Sequence, residues 1–348
     1  MKVKIVGGRK VIPMKEVPVA FYNPERDGVT FSLLTTFKNC REKARLFLNG
    51  WTGKQNSLGT IFGGLVHGVN ERMYLHVQKN KFKSFPGPEY IKDVCREVEA
   101  LWKKENPRAD AESLKHLEFS MILLEGLMPW YFKYWKKDFQ FVWDRVEHTF
   151  KMPFKVDHPF RPGTSMKTFV RGKMDGSFRR KLGARPWLFE TKTKAQLSEQ
   201  NESDLADILS HELQANIYLL YLRWVEKVLP EGLLYNIIRR PALRQKKKET
   251  VAQFAKRVAI DVRRRPEHYF VRMQMSVERK DLERNEGELH DLVSDFLFWW
   301  NGIGGHYKNS DHCQNKYGRC HNLPICSRGD YSGFYKRTTV FRELADEL

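Results

Sequence analysis

Apolar side chains between Ser32 and Phe47 recur at three- and four-residue steps, with Leu33, Phe37, Cys40, Ala44 and Phe47 on one stripe. That spacing predicts an amphipathic helix, with Ser32 placed to cap it. A second helix is predicted over "LGTIFGGLVHGVNERMYLHV", glycine-rich at its start and carrying His67 and Glu71. From Gly87 to Lys137 the pattern stays helical and polar, with aromatics crowding "MPWYFKYWKKDFQFVW". The period then shortens to two. "FVWDRVEHTFKMPF", "KTFVRGKMDGSFRR" and "RPWLFETKT" read as successive strands separated by turn residues. A helix follows over roughly 203–228, then strands in "GLLYNIIRRP" and "EHYFVRMQMSV", then a helix over about 277–300. The order predicts an α/β fold with a mixed sheet, helical additions in front and a cysteine-rich tail behind.

In "WLFETKT" an otherwise apolar strand carries a glutamate and a lysine two positions apart, so Glu190 and Lys192 share one face while Phe189 and Thr191 share the other. Asp175 lies fifteen residues earlier in "GKMDGS", near the end of the preceding strand, room for a hairpin joining adjacent antiparallel strands. Asp175, Glu190 and Lys192 are thereby placed to converge. Two carboxylates and a main-chain carbonyl form the hard-oxygen site that Mg²⁺ prefers. The competing reading is a surface hairpin ending in a plain ion pair.

Length and composition narrow the class. With 348 residues, 41 % hydrophobic and 13 % aromatic, the chain is long enough for a sizeable core and unlike a disordered one. No apolar run is long enough to span a bilayer and no secretory signal is evident, which predicts an intracellular, cytoplasmic protein without a membrane partner. Formal net charge is +19, and the run from Arg239 to Arg265 sets eleven Lys or Arg against Glu249 and Asp261 alone. So large an excess favours a polyanion, nucleic acid first. The run shows no clean apolar face, which argues against a membrane surface. A solvated charged face is the bland alternative. The aromatics from Trp130 to Trp143 suit core packing better than base stacking.

Of five cysteines, Cys313, Cys320 and Cys326 fall in one late stretch, "CQNKYGRCHNLPIC", and point to a metal. Three thiolates need a fourth ligand, and Cys40 is the candidate. Zinc is the alternative to an iron–sulfur group, since His306, His312 and His321 crowd the loop. Cys95 reads as a small apolar side chain.

"KMDG…WLFETKT", the upstream "GGLVHGVNE" and the downstream "LQANIYLL" together resemble the PD-(D/E)XK nuclease superfamily in its RecB-like branch. The resemblance runs closely over about 58–240 and is similar to stand-alone phage-type members and to the CRISPR-associated and AddB-type iron–sulfur nucleases. It implies a single nuclease domain over 1–348 with a restriction-endonuclease-like mixed sheet flanked by helices. It also implies a helical insertion over 85–140 and a metal-binding tail over 305–330 that pairs with Cys40. It implies His67, Asp175, Glu190 and the Thr191 carbonyl as ligands of Mg²⁺ or Mn²⁺, with Lys192 catalytic beside Asp175 and Glu190. Gln214 and Tyr218, one helical turn apart, would approach the active site or the DNA. Cys40, Cys313, Cys320 and Cys326 would hold a [4Fe–4S] cluster.

The activity so implied is metal-dependent hydrolysis of DNA, as an exonuclease on single strands or ends, in bacterial or phage recombination, repair or replication. No phosphate-binding G-x-x-x-x-G-K-[ST] loop occurs, so any helicase or recombination protein would be a separate partner. A catalytically inactive nucleic-acid-binding scaffold or recombination mediator is the alternative, and a sequence-specific endonuclease a third reading.

Overall fold

The computed structural model describes residues 4–6, 9–11, 21–53, 57–79, 85–107, 109–195, 207–315, 318–341 and 344. Its centre is a five-stranded mixed sheet in the order β4-β5-β6-β7-β8. The strands are β4 (Val142–Asp157), β5 (Ser165–Arg179), β6 (Trp187–Lys194), β7 (Gly232–Arg239) and β8 (Phe270–Ser276). Only β6 and β7 run parallel; the other neighbours are antiparallel. Three two-stranded ribbons complete the strands: β1 (Lys4–Val6) with β2 (Arg9–Val11), β3 (Trp51–Gly53) with β11 (Phe334–Lys336), and β9 (Gln314–Asn315) with β10 (Gly318–Arg319).

Helices cover both sheet faces. Leu188, Leu233, Tyr235 and Ile237 point into one core with α2 (Phe31–Asn39), α7 (Leu213–Trp224) and α10 (Arg279–Trp300). Phe178, Phe189, Leu234 and Ile238 point into the other. That second core is filled by α4 (Leu58–Gln78), α5 (Pro88–Glu105), α6 (Ala111–Tyr134) and α8 (Val251–Arg264). The alternation of Leu188 and Phe189 between the two is the period-two pattern of a strand buried on both sides. The expected mixed α/β sheet flanked by helices is thus present. Among the described residues no helix is long and apolar enough to cross a membrane.

Three expectations change. The stripe from Ser32 to Phe47 is two helices, α2 and α3 (Arg41–Leu48), because Cys40 is extended at φ −161°, ψ 111°. Thr30, not Ser32, caps the first, its hydroxyl accepting from the Leu33 amide at 3.2 Å. The predicted helix over 203–228 is observed as α7, and residues 201–206 lie outside those described. The basic run does have an apolar face. Phe254, Val258 and Val262 of α8 are fully buried in the second core, with Phe254 stacked on Phe119 of α6. Three short helices are also present, α1 (Pro24–Asp27), α9 (Pro266–Tyr269) and α11 (Leu323–Arg328), and Tyr269 of α9 is buried in the second core.

The aromatic segment packs as expected. Tyr131, Phe132 and Trp143 are buried, and Trp143 stacks on Tyr74 at 4.2 Å. Cys95 is buried among apolar side chains of the same core, where burial pushes its thiol up.

Candidate metal centre at the fork between β5 and β6

Strands β5 and β6 share only three rungs: Phe178 with Trp187, Ser177 with Leu188, and Gly176 with Phe189. Beyond the last rung they separate. Asp175 and Glu190 are the first residues past it, one on each prong of the fork. The Thr191 amide, left without a β5 carbonyl, donates to Asp175 Oδ2 at 2.6 Å. The Lys173 carbonyl is taken by the Tyr218 hydroxyl at 2.7 Å. Two backbone groups at the fork thus have side-chain partners, as buried polar groups require. Gly172 leaves space for that tyrosine, since a Cβ there would stand 2.9 Å from its ring.

Helix α4 closes the fork from the other side. Its "GGLVHG" stretch lets the helix lie against β6: a Cβ on Gly63 would come within 3.0 Å of Thr193 Oγ1. One turn later His67 Nδ1 reaches Asp175 Oδ1 at 3.2 Å. Glu147 of β4 joins them, and ligand atoms of His67, Glu147 and Asp175 all lie within 4.8 Å of one another. It is the only such group of three among the described residues. Sequence reasoning missed Glu147. It occupies a left-handed backbone conformation, φ 48°, rare for a residue with a Cβ.

Glu190 is 1 % exposed and stands outside that trio, with Oε1 on Lys192 Nζ at 2.9 Å. Its other oxygen, Oε2, is buried without a hydrogen-bond partner. An orphaned carboxylate oxygen beside a histidine and two further acids is a donor set suited to a hard divalent cation. Electrostatics agree. Burial and Asp175 push Glu190 up to about 8 against the pull of Lys192, and burial and Asp175 push Glu147 up to about 7. His67 is held at about 9: burial works against its charge, but Asp175, Glu147 and Glu190 outweigh it. Asp175 stays below the usual carboxylate range, since His67 and the Thr191 amide overcome the effect of burial.

Lys192 is gripped on three sides, by Glu190, by Glu212 Oε1 at 3.2 Å and by Gln214 Oε1 at 2.5 Å. Burial disfavours its charge, yet the two glutamates raise its pKa, so it is an ammonium at neutral pH. It can stabilise charge but is a poor proton acceptor. Gln214 Nε2 donates in turn to the Tyr218 hydroxyl at 3.1 Å. Gln214 and Tyr218, expected to approach the active site or the DNA, lie against Lys192, with Tyr218 1 % exposed behind the lysine. The pair forms a chain from Lys192 to the Lys173 carbonyl that fixes the lysine in place. Thr191 turns its hydroxyl to the second core, accepting from Asn236 Nδ2 at 3.2 Å. Glu71 faces Lys173 Nζ at 3.8 Å, and the same lysine reaches Glu147 at 3.0 Å.

No family model and no curated protein matches the sequence. Among solved structures, the crystal structure of SSO0001 aligns at 10 % identity over 71 % of this chain and 76 % of that one, with a TM-score of 0.25. A likeness that slight carries no weight for fold or function, and the fork's own geometry has to decide.

The cysteine-rich tail holds a second candidate centre. Cys40, Cys313, Cys320 and Cys326 line one cavity of about 320 Å³, with His312 also in its wall. Docking of the tail onto the α2–α3 junction brings them there. Asn309 Nδ2 donates to the Asn39 carbonyl at 2.9 Å, and Arg41 lies over the rings of Phe37 and Tyr307. Within the tail, the Cys320 amide donates to the Cys313 carbonyl at 2.8 Å, and Lys308 Nζ to the Cys326 carbonyl at 2.6 Å. Burial and Glu42 push the Cys326 thiol up to about 11, with Cys320 and Cys40 near enough to add to it. Tetrahedral zinc needs sulfurs roughly 3.8 Å apart, from bonds of about 2.3 Å. No three of these side chains bring their ligand atoms within 4.8 Å of one another. They surround a wider space instead.

Proposed function

We propose that the chain is a Mg²⁺- or Mn²⁺-dependent deoxyribonuclease of restriction-endonuclease-like fold, acting on single-stranded DNA or DNA ends. One observation carries this reading: His67, Glu147 and Asp175 meet at the strand fork beside a buried Glu190 that has an orphaned oxygen and a pinned Lys192. A divalent ion there supplies an activated water and charge stabilisation at the scissile phosphate. Asp175 and Glu190, from opposite prongs, would hold it together with His67 and Glu147. The Thr191 carbonyl, on the same prong, is a further ligand in this reading. Lys192 sets an ammonium beside the developing phosphoryl charge, and Glu212 and Gln214 keep it from swinging away. The excess positive charge suits a polyanionic substrate. Bacterial or phage DNA recombination, repair or replication is the setting we assign to the activity.

The test is incubation of purified protein with end-labelled linear and with closed circular single-stranded DNA, with and without Mg²⁺ or Mn²⁺. Metal-dependent release of short products from the linear strand alone supports the exonuclease. Cutting of the circle indicates endonuclease action. No cleavage with either metal leaves a catalytically inactive DNA-binding scaffold.

Metal binding is expected to depend on pH. Glu190, Glu147 and His67 have folded pKa values above their unfolded ones, so the metal-free fold binds extra protons between about pH 4.5 and 9. Its stability therefore falls as pH rises through that window. The ion must displace those protons, so affinity rises over the same range. Calorimetric titration with Mn²⁺ should show tightening from pH 6 to pH 8 and net proton release to the buffer. A pH-independent affinity would contradict the site.

For the cysteine cavity we propose a [4Fe–4S] cluster on Cys40, Cys313, Cys320 and Cys326, a group broader than a zinc ion, with a structural role in tying the tail to α2 and α3. Protein purified without oxygen should be brown and absorb near ~400 nm. Replacing Cys40 with serine should remove that band. A colourless preparation containing zinc would displace the cluster in favour of zinc with a histidine from the loop.

A further inference from the structure

The run of positive charge in the sequence begins beside the fork. The parallel register pairs Lys194 of β6 with Arg239 of β7, and the Arg240 amide donates to the Lys194 carbonyl at 2.8 Å. Glu190, Lys192 and Lys194 alternate onto the face that carries Leu188, and Arg239 onto the face that carries Ile237. Leu188 and Ile237 belong to one core, so Lys194 and Arg239 stand on the same face as the pinned lysine, one step of about 6.6 Å further along the strand.

Among the described residues no carboxylate forms an ion pair with these cations. Among the same residues Arg239 Nε and Arg240 Nη1 are buried without hydrogen-bond acceptors, and Arg239 Nη1 lies 3.1 Å from His268 Nδ1. Burial lowers the Arg240 pKa with no acid to offset it. The acids of the following run are already engaged: Glu249 by Arg257 at 2.7 Å and Asp261 by Arg265 at 2.6 Å. Glu190 and Glu212, nearest along the strand face, belong to Lys192. Arg244, Lys247, Lys248, Lys256 and Arg264 are exposed and form no ion pair among the described residues, while Lys246 lies beside Glu249. A buried guanidinium nitrogen lacking an acceptor is costly unless a ligand brings one. Phosphate does, and arginine suits it.

We infer that Lys194 and Arg239 on this face, with Arg240 just past the end of β7, form a phosphate-holding platform that grips the backbone of single-stranded DNA next to the fork and leads it along the basic surface before α8. This rests on the nuclease reading for the identity of the strand, but binding can be read without cleavage. The experiment is fluorescence anisotropy of a short labelled single-stranded DNA in EDTA, over a series of salt concentrations. R239A and R240A are each expected to weaken binding severalfold and to reduce the slope of log affinity against log salt by about 0.7, one phosphate's worth on a single strand. The double variant R239K/R240K keeps the charge and should retain the slope. K92A, whose lysine is paired with Glu89 on α5, should change neither value. An unchanged slope in R239A/R240A, an equal loss in K92A, or no DNA binding by the native chain overturns the platform. Slope losses in a protein that cleaves nothing with any metal would sustain the platform and sink the nuclease.

Discussion

Lys192→Met is expected to lower metal-dependent cleavage by about 10²–10³-fold, the usual loss when one preorganised donor to transition-state charge is removed. Mn²⁺ binding should survive, because the lysine is not a ligand. The fold should survive too. Without the ammonium, Glu190 is left buried beside Asp175, but its pKa is already raised to about 8 and it can take up a proton. Glu212 is 34 % exposed on its side chain and keeps contact with water. Single-turnover rates at saturating Mn²⁺, with a thermal melt of the same sample, separate the two effects. Gln214→Ala should give a smaller fall in rate, partly restored by Gln214→Glu, since that residue acts only by holding the lysine. A Lys192→Met protein as active as the native one would remove the lysine from the chemistry.

Asp138→Ala is expected to destabilise the fold by about 3–5 kcal/mol, the cost of leaving a buried cation unpaired. Arg272 is 8 % and Asp138 2 % exposed on their side chains, and they are joined by two short hydrogen bonds, at 2.7 and 2.5 Å. Tyr74 of α4 donates to the same carboxylate at 2.7 Å, and Arg272 also stacks on Trp135 at 4.0 Å. The aspartate therefore connects β8 to the helix that carries His67. Urea unfolding should show the loss. Because a paired apolar replacement removes both desolvation costs, Asp138→Leu combined with Arg272→Met should be less harmful than either change alone. A double variant as unstable as the sum of the singles would show that the two residues act separately.

How much of this was legible in the sequence follows from the range of each interaction. The β6 pattern was readable because alternation is local: Phe189 and Thr191 do face one core, and Glu190 and Lys192 the other side. The break at Cys40 was not, since the apolar stripe passes through it and the docked tail, 270 residues on, meets the junction there. Glu147 sits in "DRVEHTF", where a lone glutamate in an alternating strand looks like a solvent-facing residue. Its left-handed backbone and its approach to His67 are tertiary facts. The Arg272–Asp138 pair, 134 residues apart, leaves no local trace. The α8 face was hidden by charge: Phe254, Val258 and Val262, at four-residue steps, were masked by Lys256, Arg257 and Asp261 between them and by the arginines that follow.

The three rungs between β5 and β6 also determine where the chain tolerates change. Which prong each acid occupies is set by pairing at Gly176 and Phe189, while the turn joining the strands lies at the opposite end, where Leu182 is 86 % exposed. Extra residues spliced in at Leu182 or Gly183 would lengthen the turn and leave the carboxylates where they are. One residue added between Asp175 and Gly176 would send the aspartate to the wrong side of the sheet. An affinity tag or a fluorophore therefore belongs at the turn.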